Sequence, residues 1–180
     1  METINILFCG TGGQGILTAA EVVALAAMYD GYHVKKSEVH GMAQRGGSVE
    51  SHVRIGEKVF SPIIEYAKAD YLLSFEKSEH DRMFFMLKQK GTDLFNDFVE
   101  ASKKISNPKF VNTYMLGVLS KYLSISNESW QKAMKESIKP KYLDKNIEVF
   151  TQGSRNWSLF IKLKKMGTSR MISRFIVIGL

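Results

Sequence analysis

The sequence predicts an α/β protein: a three-layer α/β/α domain with a mixed, partly parallel sheet and a helical C-terminal half. Three observations predict it. An apolar run, a glycine-rich turn and a helix-periodic segment open the chain in that order. A strictly alternating segment with a turn after it follows. From Glu76 onward the apolar positions recur mainly at helical spacing.

The elements follow in order. Ile4-Asn5-Ile6-Leu7-Phe8-Cys9 reads as a buried first strand, and Gly10 to Gly15 as a tight turn. Ile16, Leu17, Ala20, Val23, Ala24, Ala27 and Met28 place one apolar face on a helix over 16–29, closed by Asp30-Gly31. Tyr32 to Lys36 reads as a second strand, which makes the opening a β-α-β unit. Residues 37–47 read as a loop. Over 48–55, Val49, Val53 and Ile55 fall on one face and Glu50, His52 and Arg54 on the other. Gly56-Glu57 followed by Lys58-Val59-Phe60 reads as a hairpin, so the sheet is expected to be mixed. A further strand covers 70–75. Helices are predicted over 77–89, 93–105, 110–123 and 127–138, the last with Ser126/Asn127 and Glu128 as its start signal. Pro62, Pro108 and Pro140 mark element boundaries.

At 180 residues, with 44% apolar and 24% charged positions, the chain can build one core and needs no covalent staple. Its single cysteine, Cys9, excludes an internal disulfide, a Cys-based zinc site and an iron–sulfur cluster within this chain. His33, His40, His52 and His80 have no close metal-ligand spacing, so no metal site is expected. His33, His52 and His80 read as ordinary strand-face or helix-surface residues. No leader and no apolar stretch near the ~18 residues that span a bilayer is visible, and the expected location is the cytosol. The net charge of +7 is uneven. Residues 1–131 carry 14 basic and 15 acidic side chains, residues 132–180 carry 11 and three. The basicity therefore belongs to the C-terminal quarter and gives no footprint for nucleic acid. A membrane contact is not expected.

Gly10, Gly12 and Gly15 fit G-x-G-x-x-G between a strand and a helix, where free N–H groups suit a phosphate. The acid that usually binds a ribose at the end of the second strand is replaced by Lys35 and Lys36, with Glu38 slightly later. That disfavours NAD. It leaves open a ribose phosphate, another ligand, a protein interface or a plain tight turn. Gly13-Gln14 adds an amide that dinucleotide binding does not call for, which points to contact with a specific polar surface. Residues 37–47 hold Glu38, His40, Gln44 and Arg45 among Gly41, Gly46 and Gly47. So many functional groups are unusual in a mere connection. Arg45 is a candidate anion clamp and His40 a candidate proton donor or anion orienter; they are the weak catalytic candidates.

Gly10-Thr-Gly-Gly-Gln-Gly-Ile-Leu-Thr-Ala-Ala and Ser37-Glu-Val-His-Gly-Met-Ala-Gln-Arg-Gly-Gly-Ser-Val together resemble the small (beta or gamma) subunit of 2-oxoacid:ferredoxin oxidoreductases. The second motif resembles the indolepyruvate type in particular. Ser61-Pro62, Ala69-Asp70, Phe75-Glu76, Asn107-Pro108-Lys109-Phe110-Val111-Asn112 and Met115-Leu116-Gly117 continue the resemblance over most of residues 4–153. It implies a thiamine diphosphate reaction: an aryl 2-oxo acid loses carbon dioxide, electrons pass through iron–sulfur clusters to ferredoxin, and the acyl group goes to coenzyme A. It also implies that this chain binds none of these alone. No Gly-Asp-Gly thiamine motif occurs, and a large alpha subunit would carry the thiamine diphosphate and the clusters. Gly10, Gly12, Gly13, Gln14 and Gly15, with Glu38, His40, Gln44, Arg45, Gly46 and Gly47, carry over as the surface that closes on the substrate or coenzyme A region.

Two departures from the family pattern are visible. Lys90-Gly91-Thr92 runs almost directly into Asp93-Leu94-Phe95, so an internal segment is missing and the sheet is expected to lose a strand or expose an edge. The family domain is expected to end near 153, with 154–180 a basic and apolar tail of no recognised counterpart. Two rival functions remain at this stage: a stand-alone NADP-binding reductase, and a non-catalytic interaction module whose loops bind only protein.

Overall fold

Ile4–Thr11 forms the central strand β1 because its apolar residues serve both faces of the sheet: Ile6 and Phe8 enter the main core, Leu7 and Cys9 a smaller one on the opposite face. In the computed structural model, residues 2–41 and 46–165 are described, with His40 and 156–165 described by their backbone alone. The other strands are β2 (His33–His40), β3 (Ser48–Gly56), β4 (Ala69–Ser74) and β5 (Leu87–Asp93). Their order across the sheet is β2-β3-β1-β4-β5. β3 runs antiparallel to both β2 and β1, whereas β4 is parallel to β1 and to β5. The predicted mixed sheet is thus present, and with it the α/β class.

The thick helical layer consists of α1 (Ile16–Tyr29), α3 (Phe95–Lys104), α4 (Val111–Leu119), α5 (Asn127–Ser137) and α6 (Pro140–Lys165). Among the described residues, the other face carries α2 (Lys77–Met83), a 3-10 turn at Phe84–Met86 and the 57–68 segment, over Leu7, Cys9, Ile64, Ala69, Leu72, Met83 and Met86. Helix α1 is alanine-rich where it meets the sheet: Ala19, Ala20, Ala26 and Ala27 are buried, which lets backbone approach backbone. Ser126 caps α5, accepting from Ser129 N at 3.2 Å, as its start signal predicts. Asp30 ties that cap to the end of α1 by accepting from both Ser126 and Ser129 hydroxyls at 2.7 Å.

Several local expectations are corrected. The hairpin partner of β3 is β2, joined through residues 41–47, and Lys58-Val59-Phe60 forms no strand. Those residues are held by side chains instead: Val59 N donates to His33 Nδ1 at 2.9 Å, and Arg54 Nη1 donates to Ser61 O at 3.0 Å. Ser37 to His40, read as loop, lengthen β2. The helix expected over 77–89 stops at Met83, and Leu87–Asp93 is a strand. The sheet therefore keeps a fifth strand despite the shortened middle. Its register on β4 slips between Ala69 and Tyr71, and Lys88, Gln89 and Lys90 are all exposed, the charged finish of an edge. Helix α6, unanticipated beyond 138, runs across residue 153 to Lys165. His52, read as an ordinary strand-face residue, is buried and accepts from Ile64 N at 3.2 Å.

Lys121, just past α4, has its Nζ buried with no hydrogen-bond acceptor among the described residues. Burial pushes its amine down to about 8, only partly offset by the negative charge of Asp97. Below that pH the folded chain holds an unpartnered charge that the unfolded chain keeps in water. The unfolded state binds more protons between about 8 and the ordinary 10.5, so this group makes stability rise with pH across that window. Lys121→Met is expected to be more stable than the parent at pH 7, with the difference shrinking from pH 8 upward. Urea unfolding of both chains along a pH series checks this.

Candidate functional site at the ends of the central strands

The parallel strands β1 and β4 end side by side, and Phe75 N extends their pairing by donating to Cys9 O at 2.9 Å. The chain leaves β1 through Thr11 to Gly15 and enters α1, while β4 leads to α2. Loops diverging from neighbouring parallel strands open a crevice there. Gly15 is the N-terminal cap residue of α1 with φ 77°, a left-handed conformation natural only to glycine. Among the described residues no side chain caps this helix, and its first turn holds no acid. The first helical N–H groups are left to whatever lies in front of them.

What lies in front is a pocket of about 290 Å³ bordered by Gly13, Gln14, Gly15, Phe75, Phe98, Ser102, Lys109 and Asn112. Asn112 at the start of α4 reaches Gly15 O through Nδ2 at 3.2 Å. Lys109 is the one cationic residue lining it among the described residues. Phe75 and Phe98 meet edge-to-face at 5.6 Å and form its apolar wall. None of Phe75, Ser102, Lys109 or Asn112 was assigned a role from sequence. The signal was available in the Asn107-Pro108 helix start, where Asn107 Oδ1 accepts from Lys109 N at 3.1 Å.

Gln14 is used differently from the expectation of an outward contact. Its Oε1 accepts from Thr11 N at 2.8 Å and its Nε2 donates to Phe75 O at 2.7 Å. Both ends of the amide are spent on bracing the turn against the end of β4.

The two motif segments converge. Gly12 N donates to Gly47 O at 2.9 Å, because Thr11 and Ser48 are register partners at the ends of β1 and β3. Gly12, Gly13, Gln14, Gly15, Gly46 and Gly47 thus form one continuous rim, while Gly10 is buried within β1 opposite Val49. Gly41 N donates to Ser48 O at 2.7 Å, closing the base of the β2–β3 connection. Glu38 stands apart, on edge strand β2 opposite Ser51, and accepts from Lys36 Nζ at 2.9 Å. The backbone of His40 pairs with Val49 at the hairpin end. Gln44 and Arg45 lie outside the described residues.

The NADP reading loses its geometry. β3 separates β2 from β1, so Lys35 and Lys36 are not on the strand beside the glycine turn. Lys36 is also paired with Glu21 and Glu38. Nor do the residues fit an iron–sulfur cluster. Cys9 is buried, its thiol donates to Ser74 Oγ at 3.1 Å, and burial pushes it up to about 12, whereas a ligand must be a thiolate. Among the described residues, no three His, Cys, Asp or Glu side chains converge as a metal site, and no helix is long and apolar enough to cross a membrane.

Comparison with known proteins decides the family. The sequence pattern of the pyruvate ferredoxin/flavodoxin oxidoreductase family matches residues 5–156. This chain belongs to that family. Within it, the chain is 33% identical to the indolepyruvate oxidoreductase subunit IorB of Thermococcus kodakarensis, over 85% of this chain and 95% of that one. It is 31% identical to the pyruvate synthase subunit PorC of Methanothermobacter marburgensis, over 81% and 92%. The gamma subunit of a keto/oxoacid ferredoxin oxidoreductase from Geobacter sulfurreducens superposes with a TM-score of 0.68 at 25% identity, over 84% and 96%. The resemblance to the small subunits of 2-oxoacid:ferredoxin oxidoreductases therefore holds. The alignment to the Thermococcus protein takes 192 positions, more than this chain possesses, so that family member carries residues this chain lacks.

Proposed function

We propose that the chain is the small subunit of a thiamine-diphosphate-dependent indolepyruvate (aryl 2-oxo acid):ferredoxin oxidoreductase of the cytosol. The complex would decarboxylate the 2-oxo acid oxidatively to the acyl-coenzyme A and pass electrons to ferredoxin. The observation that carries the reading is the hydrogen bond from Gly12 to Gly47, which fuses the two motif segments into one rim at the mouth of the β1/β4 crevice. Family membership and the indolepyruvate-type relatives support it.

In this reading thiamine diphosphate and the iron–sulfur clusters belong to a large alpha subunit; the single buried thiol of Cys9 suits no cluster. Residues 1–153 act as the docking domain and 154–180 as an appendage. The glycine turn and residues 38–47 close on the substrate or coenzyme A region. Arg45 supplies a fixed positive charge for a carboxylate or phosphate, and His40 orients an anion or donates a proton. Within the assembled complex, His40→Ala and Arg45→Ala are each expected to lower kcat/KM by about tenfold or more with normal subunit stoichiometry. Undiminished turnover in both variants would mean that the rim binds only protein, making the chain a non-catalytic interaction module.

A further inference from the structure

We infer that Arg82 is a positioning residue: its guanidinium clamps α2 to the start of β3 and thereby fixes Gly46-Gly47, the end of the 37–47 motif. The inference rests on the functional reading of that motif given above. Arg82 Nη2 lies 2.7 Å from Glu50 Oε1 and 2.6 Å from Glu79 Oε2, and donates to Ser48 Oγ at 2.6 Å. Its Nε also donates to Glu79 Oε2, at 3.1 Å. Ser48 Oγ in turn donates to the same Glu79 oxygen at 2.7 Å. Ser48 and Glu50 are the first inward-facing positions of β3 on the thin face, and Glu79 and Arg82 stand one turn apart on α2.

The charges explain why an arginine is needed here. The Glu50 and Glu79 side chains are only 15% and 11% exposed, and both carboxylates converge on one cation. A planar guanidinium presents several N–H groups in a fixed fork and can bridge two carboxylates and a hydroxyl together; an ammonium is a single point charge. Without Arg82 the two carboxylates would face each other beside the motif.

The contacts also close a circuit around the crevice. Gln14 holds Phe75, the neighbouring Glu76 caps α2 by accepting from Glu79 N at 3.1 Å, and Glu79 meets Arg82. Arg82 reaches Ser48, and Gly47 returns to Gly12. The side-chain link from α2 to β3 therefore adds to the β1–β3 ladder a second restraint on the strand end that leads back to Gly47.

The test uses the full chain and the assembled complex. Amide hydrogen exchange is followed in wild type, Arg82→Gln and Arg82→Lys. Exchange over Gly46–Glu50 is expected to accelerate by about tenfold or more in both variants, with α1 and α4 unchanged. In complex with the wild-type large subunit, both should lose on the order of 10- to 100-fold in kcat/KM at normal stoichiometry, lysine failing to rescue. Unchanged exchange at Gly46–Glu50, acceleration spread across α1 and α4, or local acceleration with full turnover would each overturn the inference. A wild-type chain that does not assemble would overturn the functional reading instead, and exchange in the isolated chain would still decide whether the clamp exists.

Discussion

Replacing Gly117 by alanine is expected to cost about 3 kcal/mol of stability, although alanine is the better helix former. Gly117 lies inside α4, facing α6. A Cβ built there would sit 2.1 Å from Phe150 O and 2.9 Å from Ser154 N. The facing glycine is equally tight: a Cβ on Gly153 would lie 2.2 Å from Tyr114 O and 3.2 Å from Gly117 Cα. Both obstacles are helix backbone, which a rotamer change cannot move aside. The helices must separate, and Tyr114, Val118, Val149 and Phe150 would lose contact across a core that tolerates no gap. For a domain of this size the loss corresponds to a fall in Tm of about 10 °C. Thermal unfolding followed by circular dichroism reads it, and an unchanged or raised Tm would contradict the α4–α6 packing.

The second large effect is expected at Gly15, and its neighbour supplies the control. Gly15→Ala places a side chain at φ 77°, costing ~1–2 kcal/mol, and drives its Cβ to 2.3 Å from Asn112 Nδ2. Asn112 must then release Gly15 O, breaking the link between α1 and α4 at the pocket. A stability loss of about 2–3 kcal/mol is expected, together with a collapse of turnover in the complex. Gly12→Ala is expected to stay within about 0.5 kcal/mol of the parent, because its Cβ would meet Gly46 N at 3.6 Å and Gly47 O at 3.8 Å, ordinary contacts. The G-x-G-x-x-G spacing treats these glycines alike; the surroundings do not. Chemical denaturation of the two variants separates the cases, and equal losses at Gly12 and Gly15 would contradict the turn geometry.

Legibility in the sequence followed how local each determinant is. β1, the glycine turn and α1 are dictated by runs of neighbouring residues and were readable at once. So was α5, whose Ser126 cap sits next to the helix that it starts. β5 was not readable, since Leu87-Lys-Gln-Lys-Gly-Thr-Asp has a single apolar residue and becomes a strand only because β4 offers it an edge. The insertion of β3 between β1 and β2 was equally hidden, because alternation tells which face is buried but not which strands lie alongside. At the site, the motif residues were found but not their division of labour. Gln14 reads as a contact residue, and no sequence signal shows that its amide also braces the turn. Glu79 and Arg82 drew no reading from the sequence, and they converge with Glu50 across sequence separations that no local pattern encodes.

The central claim is that this chain completes a 2-oxoacid:ferredoxin oxidoreductase. The most direct test is to co-express it, as the only tagged chain, with the large subunit from the same source, and to assay the purified material for iron and for ferredoxin reduction with indolepyruvate. The account predicts a brown complex that contains both subunits and reduces ferredoxin in the presence of coenzyme A. A colourless chain recovered alone, under conditions where the large subunit is folded and brown, would contradict it.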